Sequence, residues 1–146
     1  MKDIIKEMGL DDKTFPAKYV LTLISREKDR MITPQEMRER IEETNDIRLQ
    51  HVARAYEKYQ KQLKDNNALD FDDIIFKTVE LLQTYEDVRT FYQRKFRYVL
   101  VDEYQDTNHA QYLLTSLLAG AMRIFASWVM MIRVFTGSVA QRSRIF

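Results

Sequence analysis

Cysteine is absent from the chain, which excludes disulfides and thiolate metal sites. Only two histidines are present, His51 and His109, so a zinc site is not expected and neither residue is assigned a role. No apolar run reaches the roughly 18–20 residues that span a bilayer. Charges at Lys2, Asp3, Lys6 and Glu7 interrupt the N-terminus, so no signal peptide is expected there. These absences together fit a cytoplasmic protein. Glycine is scarce, and Gly9, Gly120 and Gly137 lie too far apart to build the phosphate-cradling loop G-x-x-x-x-G-K-[ST].

What is present describes a soluble globular chain. Its 146 residues suffice for one core, or for one small domain plus part of another. Hydrophobic residues make up 45% and charged residues 31%, and the net charge of +1 does not advertise nucleic-acid binding. That balance conceals an asymmetry, because all 22 acidic residues precede residue 121, while residues 121–146 contain Arg123, Arg133, Arg142 and Arg144.

The scarcity of glycine and proline makes the punctuation legible. Residues 2–8 read as a short helix stopped by Gly9 in a left-handed cap. Pro16 suits the first turn of a second helix with Val20, Leu21, Leu23 and Ile24 on its apolar face. Thr33-Pro34-Gln35-Glu36 matches a capping box and starts a third helix at Pro34, with Met37 and Ile41 inward. From Asp46 to about Lys64, Val52, Ala55, Tyr56, Tyr59 and Leu63 recur at helical spacing until Asp65-Asn66-Asn67 ends the run. Asp70 caps the next helix, whose expected buried face is Ile74, Ile75, Thr78, Val79 and Leu82. Asp87 is expected to cap a shorter helix through Phe96. Thr107 or Asn108 opens a last one carrying Leu113, Leu114, Leu117 and Leu118, and Gly120 ends it.

Between these last two helices, residues 98–101 (Tyr-Val-Leu-Val) form an apolar and β-branched run that reads as a strand. It leads directly into Asp102-Glu103-Tyr104-Gln105-Asp106-Thr107-Asn108. In open α/β folds ligands sit beyond the carboxyl ends of strands. A carboxylate there can hold Mg²⁺ through water while its neighbour orients and deprotonates an attacking water.

The string from Val101 to Asn108 resembles the Walker B element of the UvrD/Rep/PcrA-type superfamily 1 DNA helicases. A second string, Leu69-Asp70-Phe71-Asp72-Asp73-Ile74-Ile75, precedes it at a distance similar to the family's, and Phe91-Tyr92-Gln93-Arg94-Lys95-Phe96 between them is also similar. The resemblance covers residues 1 to about 120. It implies a fragment of an ATP-dependent 3′–5′ DNA helicase, mostly α with a small α/β portion. Residues 1–66 would be a helical subdomain of the 1B kind, and residues 67–120 a partial RecA-like P-loop NTPase motor domain. The family's phosphate-cradling loop lies N-terminal to the region seen here, so the isolated chain is expected to be inactive.

By resemblance, Asp102 holds Mg²⁺, Glu103 is the general base, and Gln105 and Asp106 couple the nucleotide site to DNA-binding motifs. The expected cofactors are ATP and Mg²⁺, and the expected partner is single-stranded DNA or its junction with duplex. Several positions keep two readings. Gln105 and Asp106 could serve only as helix-start hydrogen-bonding groups. Asp70, Phe71, Asp72 and Asp73 could lie near the DNA path, or the acids could simply cap a helix. Arg94, Lys95 and Arg97 read as surface charge or as a phosphate contact. The 14 Lys and Arg among residues 1–66, against 13 acids, form no evident phosphate-binding stripe. Two rival functions also stand: a RecB/AddA-like helicase–nuclease subunit, and a non-catalytic helical module that binds DNA or protein.

After its Walker B element the family continues with a string similar to N-I-C-V-V-G-D-D-D-Q-S-I-Y-R-F-R-G-A, which is not visible here. The codons of residues 123–141, regrouped by one base, can encode that string. The expectation is therefore that residues 121–146 are an out-of-frame tail. The competing reading is a genuine apolar strand followed by an amphipathic segment.

Overall fold

A computed structural model describes residues 1–42, 44, 46–96, 98–101 and 104–120, with the backbone alone at 105. The chain divides into two compact units, Met1–Lys77 and Thr78–Phe146. All regular secondary structure among the described residues is helical, and no helix among them is long and apolar enough to cross a membrane.

The first unit is built on α4 (Ile47–Asp65), against which α1 (Lys2–Glu7), α2 (Ala17–Asp29) and α3 (Pro34–Glu42) pack. Ile4 and Ile5 of α1, Val20 and Ile24 of α2, Met37 and Ile41 of α3, and Val52, Ala53, Ala55 and Tyr56 of α4 form one buried cluster with Phe15. Fully burying the valine, isoleucine, methionine and phenylalanine side chains of this cluster contributes about 1.5–3 kcal/mol each. Tyr56 enters the core because its hydroxyl has a partner, donating to the Ile32 carbonyl at 3.1 Å. Leu21 departs from the expected apolar face of α2 and is exposed.

Local chemistry sets the helix ends. The Asp46 carboxylate caps α4 by accepting from the Arg48 and Leu49 amides at 2.9 and 3.2 Å. The expected capping box at α3 is formed: the Thr33 amide donates to Glu36 at 2.8 Å, and the Glu36 amide donates to the Thr33 hydroxyl oxygen at 3.2 Å. Those bonds from Thr33, backbone first, hold the Glu36 carboxyl below its ordinary pKa.

Three helices end in one motif. After α1, α2 and α4 the residue at the left-handed position is Gly9 (φ +67°), Met31 (φ +61°) and Asn67 (φ +50°). In each, the next amide reaches back to close the helix: Leu10 to Ile5, Ile32 to Glu27, and Ala68 to Leu63, at 2.9–3.1 Å. Glycine and asparagine tolerate that backbone; methionine does so at a cost.

The helix α5 (Phe71–Thr84) starts in the first unit and ends in the second. Its buried residues are Asp73, Phe76, Val79 and Leu82, whereas Ile74, expected inside, is exposed. The inward stripe begins at Asp73 because that carboxylate is anchored to α2, and Ile74, one residue on, then turns about 100° away.

In the second unit, α6 (Glu86–Lys95) follows after a single residue, so Tyr85 takes the cap position and Asp87 falls in the first turn rather than at the cap. There it still complements the helix dipole. The last helix, α7 (His109–Ala119), packs on α6. Its four leucines are half-buried, and Ala110 is its buried residue. The Gln93 amide nitrogen donates to the Leu117 carbonyl at 2.6 Å. Gly120 closes α7 at φ +51°, where an L side chain is strained, and a Cβ there would meet the end of the Gln93 side chain at 2.9 Å and oblige it to shift. Residues 98–101, expected as a strand, carry no regular secondary structure, and Tyr98 and Leu100 are exposed. A strand exists only through its ladder, and the described residues provide no partner for one.

Candidate nucleic-acid groove and nucleotide motif

The most constrained polar group in the first unit is Lys28, whose residue is 1% exposed. Burial of an ammonium is costly unless it is paired and hydrogen-bonded. Here Nζ lies 2.7 Å from Asp70 Oδ2 and 2.9 Å from Asp73 Oδ1. It also sits 5.3 Å from the Tyr59 ring centre and 5.9 Å from that of Tyr56, which adds cation–π attraction. Gln60 donates to Asp73 Oδ1 at 2.9 Å, leaving its own Oε1 buried without a hydrogen-bond partner among the described residues.

The same two carboxylates start α5. The Asp73 amide donates to Asp70 Oδ1 at 2.8 Å, and the Asp70 amide reaches Asp73 Oδ2 at 3.4 Å, a reciprocal cap made from two aspartates. Burial alone would raise the Asp70 pKa. The Lys28 hydrogen bond, the Asp73 amide and a bond from Tyr59 outweigh it and hold the carboxyl below its ordinary value. The phenol of Tyr59 is pushed up to about 12 by its own burial and then by the Asp70 charge, and burial also raises Tyr56.

With Asp70 and Asp73 turned inward, Phe71 projects outward and is 89% exposed, flanked by exposed Leu69. Phe71 borders an open groove of about 480 Å³ along α2, whose lining includes Lys18, Leu21, Ser25, Arg26 and Tyr59. Lys18 and Arg26 are exposed, and Asp72 contributes a half-exposed carboxylate to the same groove. An exposed aromatic face beside two cations has the elements of a single-strand binding surface: stacking for bases and charge for phosphates.

Toward the C-terminus, Tyr104–Asp106 form a single 3₁₀ turn, closed by the Thr107 hydroxyl donating to the Tyr104 carbonyl at 2.8 Å. Asn108 then caps α7: its side chain accepts from the Gln111 amide at 2.9 Å, and Gln111 accepts from the Asn108 amide at 3.2 Å. Residues 104–111 thus make a compact turn-and-cap immediately after the carboxylate pair of the motif.

The model of the UvrD/REP helicase N-terminal domain matches residues 1–132. Among curated proteins, the chain is 42% identical over 123 residues to the ATP-dependent DNA helicase PcrA of Staphylococcus epidermidis, covering 84% of this chain and 16% of that protein. It is 44% identical over 115 residues to the ATP-dependent DNA helicase UvrD1 of Mycobacterium bovis, covering 79% of this chain and 15% of that protein.

The chain belongs to the UvrD/REP helicase N-terminal domain family. It spans about 16% of the length of the PcrA relative.

Against that family membership, the structure separates the expected site residues into three groups. Asp70 and Asp73 are brought together on Lys28, and Asp70 also lines the groove together with Phe71 and Asp72. Asp106 lies exposed in the 3₁₀ turn, with Gln105 described in its backbone alone. Asp102 and Glu103 lie outside the described residues, as do Arg97 and residues 121–146. No cluster of three or more metal-ligating side chains occurs among the described residues. Arg94 and Lys95 are exposed on α6, with Lys95 Nζ 5.8 Å from the Phe91 ring centre.

Lys28 is the residue that reading the sequence for motifs passes over. A signal was nevertheless available: Lys28 continues the i, i+4 stripe of Val20 and Ile24, so a lysine stands where the helix needs an inward residue.

Proposed function

We propose that this chain contributes part of the first motor domain of an ATP-dependent DNA helicase that couples ATP hydrolysis to 3′–5′ movement on single-stranded DNA. The observation that carries this reading is family membership combined with the intact string Asp102-Glu103-Tyr104-Gln105-Asp106-Thr107-Asn108. Residues 1–66 act as a helical subdomain, and residues 67–120 as a slice of the RecA-like domain. Asp102 is a hard oxygen donor suited to Mg²⁺ through water, and that ion would neutralise phosphate charge. Glu103 accepts the proton of the attacking water. Gln105 and Asp106, held in a tight turn directly before α7, are suited to relay a change at the nucleotide toward the DNA-binding part.

Phe71 is the base-stacking group of the DNA path in this reading, with Lys18 and Arg26 as phosphate contacts. Its near-complete exposure supports this, because burying an aromatic ring is favourable and an unburied one offers a face for stacking. Asp70 and Asp73 act through structure rather than by touching DNA, and Asp72 limits the positive charge at the groove.

The chain alone is expected not to hydrolyse ATP, because its sequence contains no loop to clamp the β- and γ-phosphates. The decisive test joins it to the phosphate-cradling segment of a family motor domain and supplies the second motor domain. Glu103→Gln should then abolish turnover with ATP affinity largely kept, since the swap removes the base but preserves shape. Asp102→Asn should weaken Mg²⁺-dependent binding as well. Parental turnover in both variants overturns the assignment and leaves a non-catalytic module.

A further inference from the structure

We infer that Lys28 is a positioning residue for the nucleic-acid groove: by clamping Asp70 and Asp73 from α2, it fixes the first turn of α5 so that Phe71 stands over the groove. This rests on the proposed role of Phe71 in the DNA path.

Three observations converge on it. First, Phe71 lies between the two clamped residues, one position after Asp70 and two before Asp73, so its direction is set by their anchorage. Phe71 has almost no packing of its own to hold it, being 89% exposed. Second, the groove has α2 on one side and the start of α5 on the other, and the Lys28 ammonium joins those two elements at 2.7 and 2.9 Å. Third, the cluster contains more polar groups than a cap requires. The two aspartates already satisfy each other's amides, yet a buried lysine, Tyr59 and Gln60 are added. A helix start needs only a cap, whereas holding that start against a particular face of α2 needs a tertiary tie. An ion pair bonded in several directions is more specific in geometry than apolar contact, which tolerates sliding.

The clamp also explains the division of labour in the acidic string. Lys28 offsets one of the two charges that Asp70 and Asp73 carry, so less negative charge stands behind Phe71 than the acidic string alone would place there. Without Lys28, two carboxylates would stand uncompensated beside the proposed path, and the first turn of α5 would be free to rotate.

The test measures binding of a fluorescein-labelled oligothymidylate to the purified 146-residue chain by anisotropy, at one fixed salt concentration. The chain as it stands, Phe71→Ala, Lys28→Met and the double variant are compared. Phe71→Ala is expected to weaken binding about 5- to 100-fold, the range of one lost base stack. Lys28→Met should weaken it by a similar factor, and the double variant should be no weaker than the worse single one, because both remove the same stack. Amide hydrogen exchange supplies the second readout. In Lys28→Met the Asp73 amide should exchange at least about tenfold faster than the loss of global stability alone accelerates the amides in the middle of α4.

If Lys28→Met fails to fold, Asp70→Asn replaces it, since the amide retains a capping oxygen while removing one charge from the clamp. Weakening by Phe71→Ala, with affinity unchanged in the clamp variant and Asp73 exchange accelerated there no more than the middle of α4, overturns the positioning role and leaves the DNA path standing. Fully additive losses in the double variant also overturn it. Unchanged affinity in Phe71→Ala, or no binding by the chain itself, instead overturns the DNA-path reading, and the inference falls with it.

Discussion

Lys28 and Asp70, 42 positions apart in sequence, meet at 2.7 Å with the lysine wholly out of solvent. Such a contact costs more to break than it contributes when formed. Removing one partner leaves a buried charge without compensation, whereas replacing the whole set by apolar groups can be neutral. Lys28→Met should therefore destabilise the first unit by about 3–5 kcal/mol, because Asp73, 2% exposed in its side chain, loses its cation. Urea unfolding followed by helical circular dichroism measures this. A loss below about 1 kcal/mol would mean that water reaches Asp73 once the lysine is gone.

The same cluster gives the chain an acid sensitivity of predictable sign. Asp70 has a folded-state pKa below its unfolded value, because the Lys28 bond and its companions outweigh the effect of burial. The stability it contributes is present above the unfolded value of about 4, and it is lost as pH falls through the folded-state value. Glu36 has the same sign through Thr33, but at an exposed site. Urea midpoints taken from about pH 6 downward should fall more steeply below about pH 4 for the parent chain than for Asp70→Asn. Parallel curves for the two proteins would contradict the assignment.

Much of the helical architecture is legible in the sequence because it is local. Thr33 and Glu36, Asn108 and Gln111, and Gly9 announce helix ends through chemistry that acts within four residues. What is not local is not legible in that way. Ile74 looks inward by periodicity, yet the inward stripe is set by Asp73 reaching a lysine on another helix. Residues 98–101 have the composition of a strand, but a strand depends on a neighbour that composition does not supply. The acidic string 70–73 supports capping and function equally by sequence. Only the tertiary position of Lys28 separates its inward acids from the outward Phe71.

Met31 is the exception among the three left-handed helix ends, since its neighbours in role are Gly9 and Asn67. A non-glycine residue at φ +61° carries a cost of about 1–2 kcal/mol that glycine avoids, offset in part by glycine's greater loss of chain entropy. Met31→Gly should consequently raise stability by about 0.5–1 kcal/mol, visible as a higher urea midpoint with an unchanged slope. A decrease would mean that the half-buried methionine side chain contributes more by packing than its backbone costs.

The last prediction concerns residues 121–146, outside the described residues, where acids cease. We propose that this segment is read out of frame. Its own codons permit a strict test when each third base is regrouped with the next two. Trp128 (TGG) followed by Val129 (GTN) must give GGT, glycine. Met130, Met131 and Ile132 (ATG ATG ATH) must give GAT GAT, two aspartates. Phe135 and Thr136 allow TAC, tyrosine, and the codons of residues 138–141 allow CGT, GGC and GCA, which read R-G-A. The glycine and the aspartate pair are forced by single-codon residues rather than chosen, and they fall in the order of the family string G-D-D-D-Q-S-I-Y-R-F-R-G-A. A frame change also accounts for the crowding of Trp128, Met130 and Met131 in a stretch without acids, because TGG and ATG are what a glycine–aspartate run becomes when displaced by one base. The family match runs to residue 132, so it enters this segment, and the position of the change is itself open to measurement. Sequencing the coding DNA around codons 119–123 decides the matter. A one-base shift there should restore the glycine–aspartate string and a long downstream reading frame, whereas early stop codons or an unrelated sequence in the shifted frame would sink the proposal.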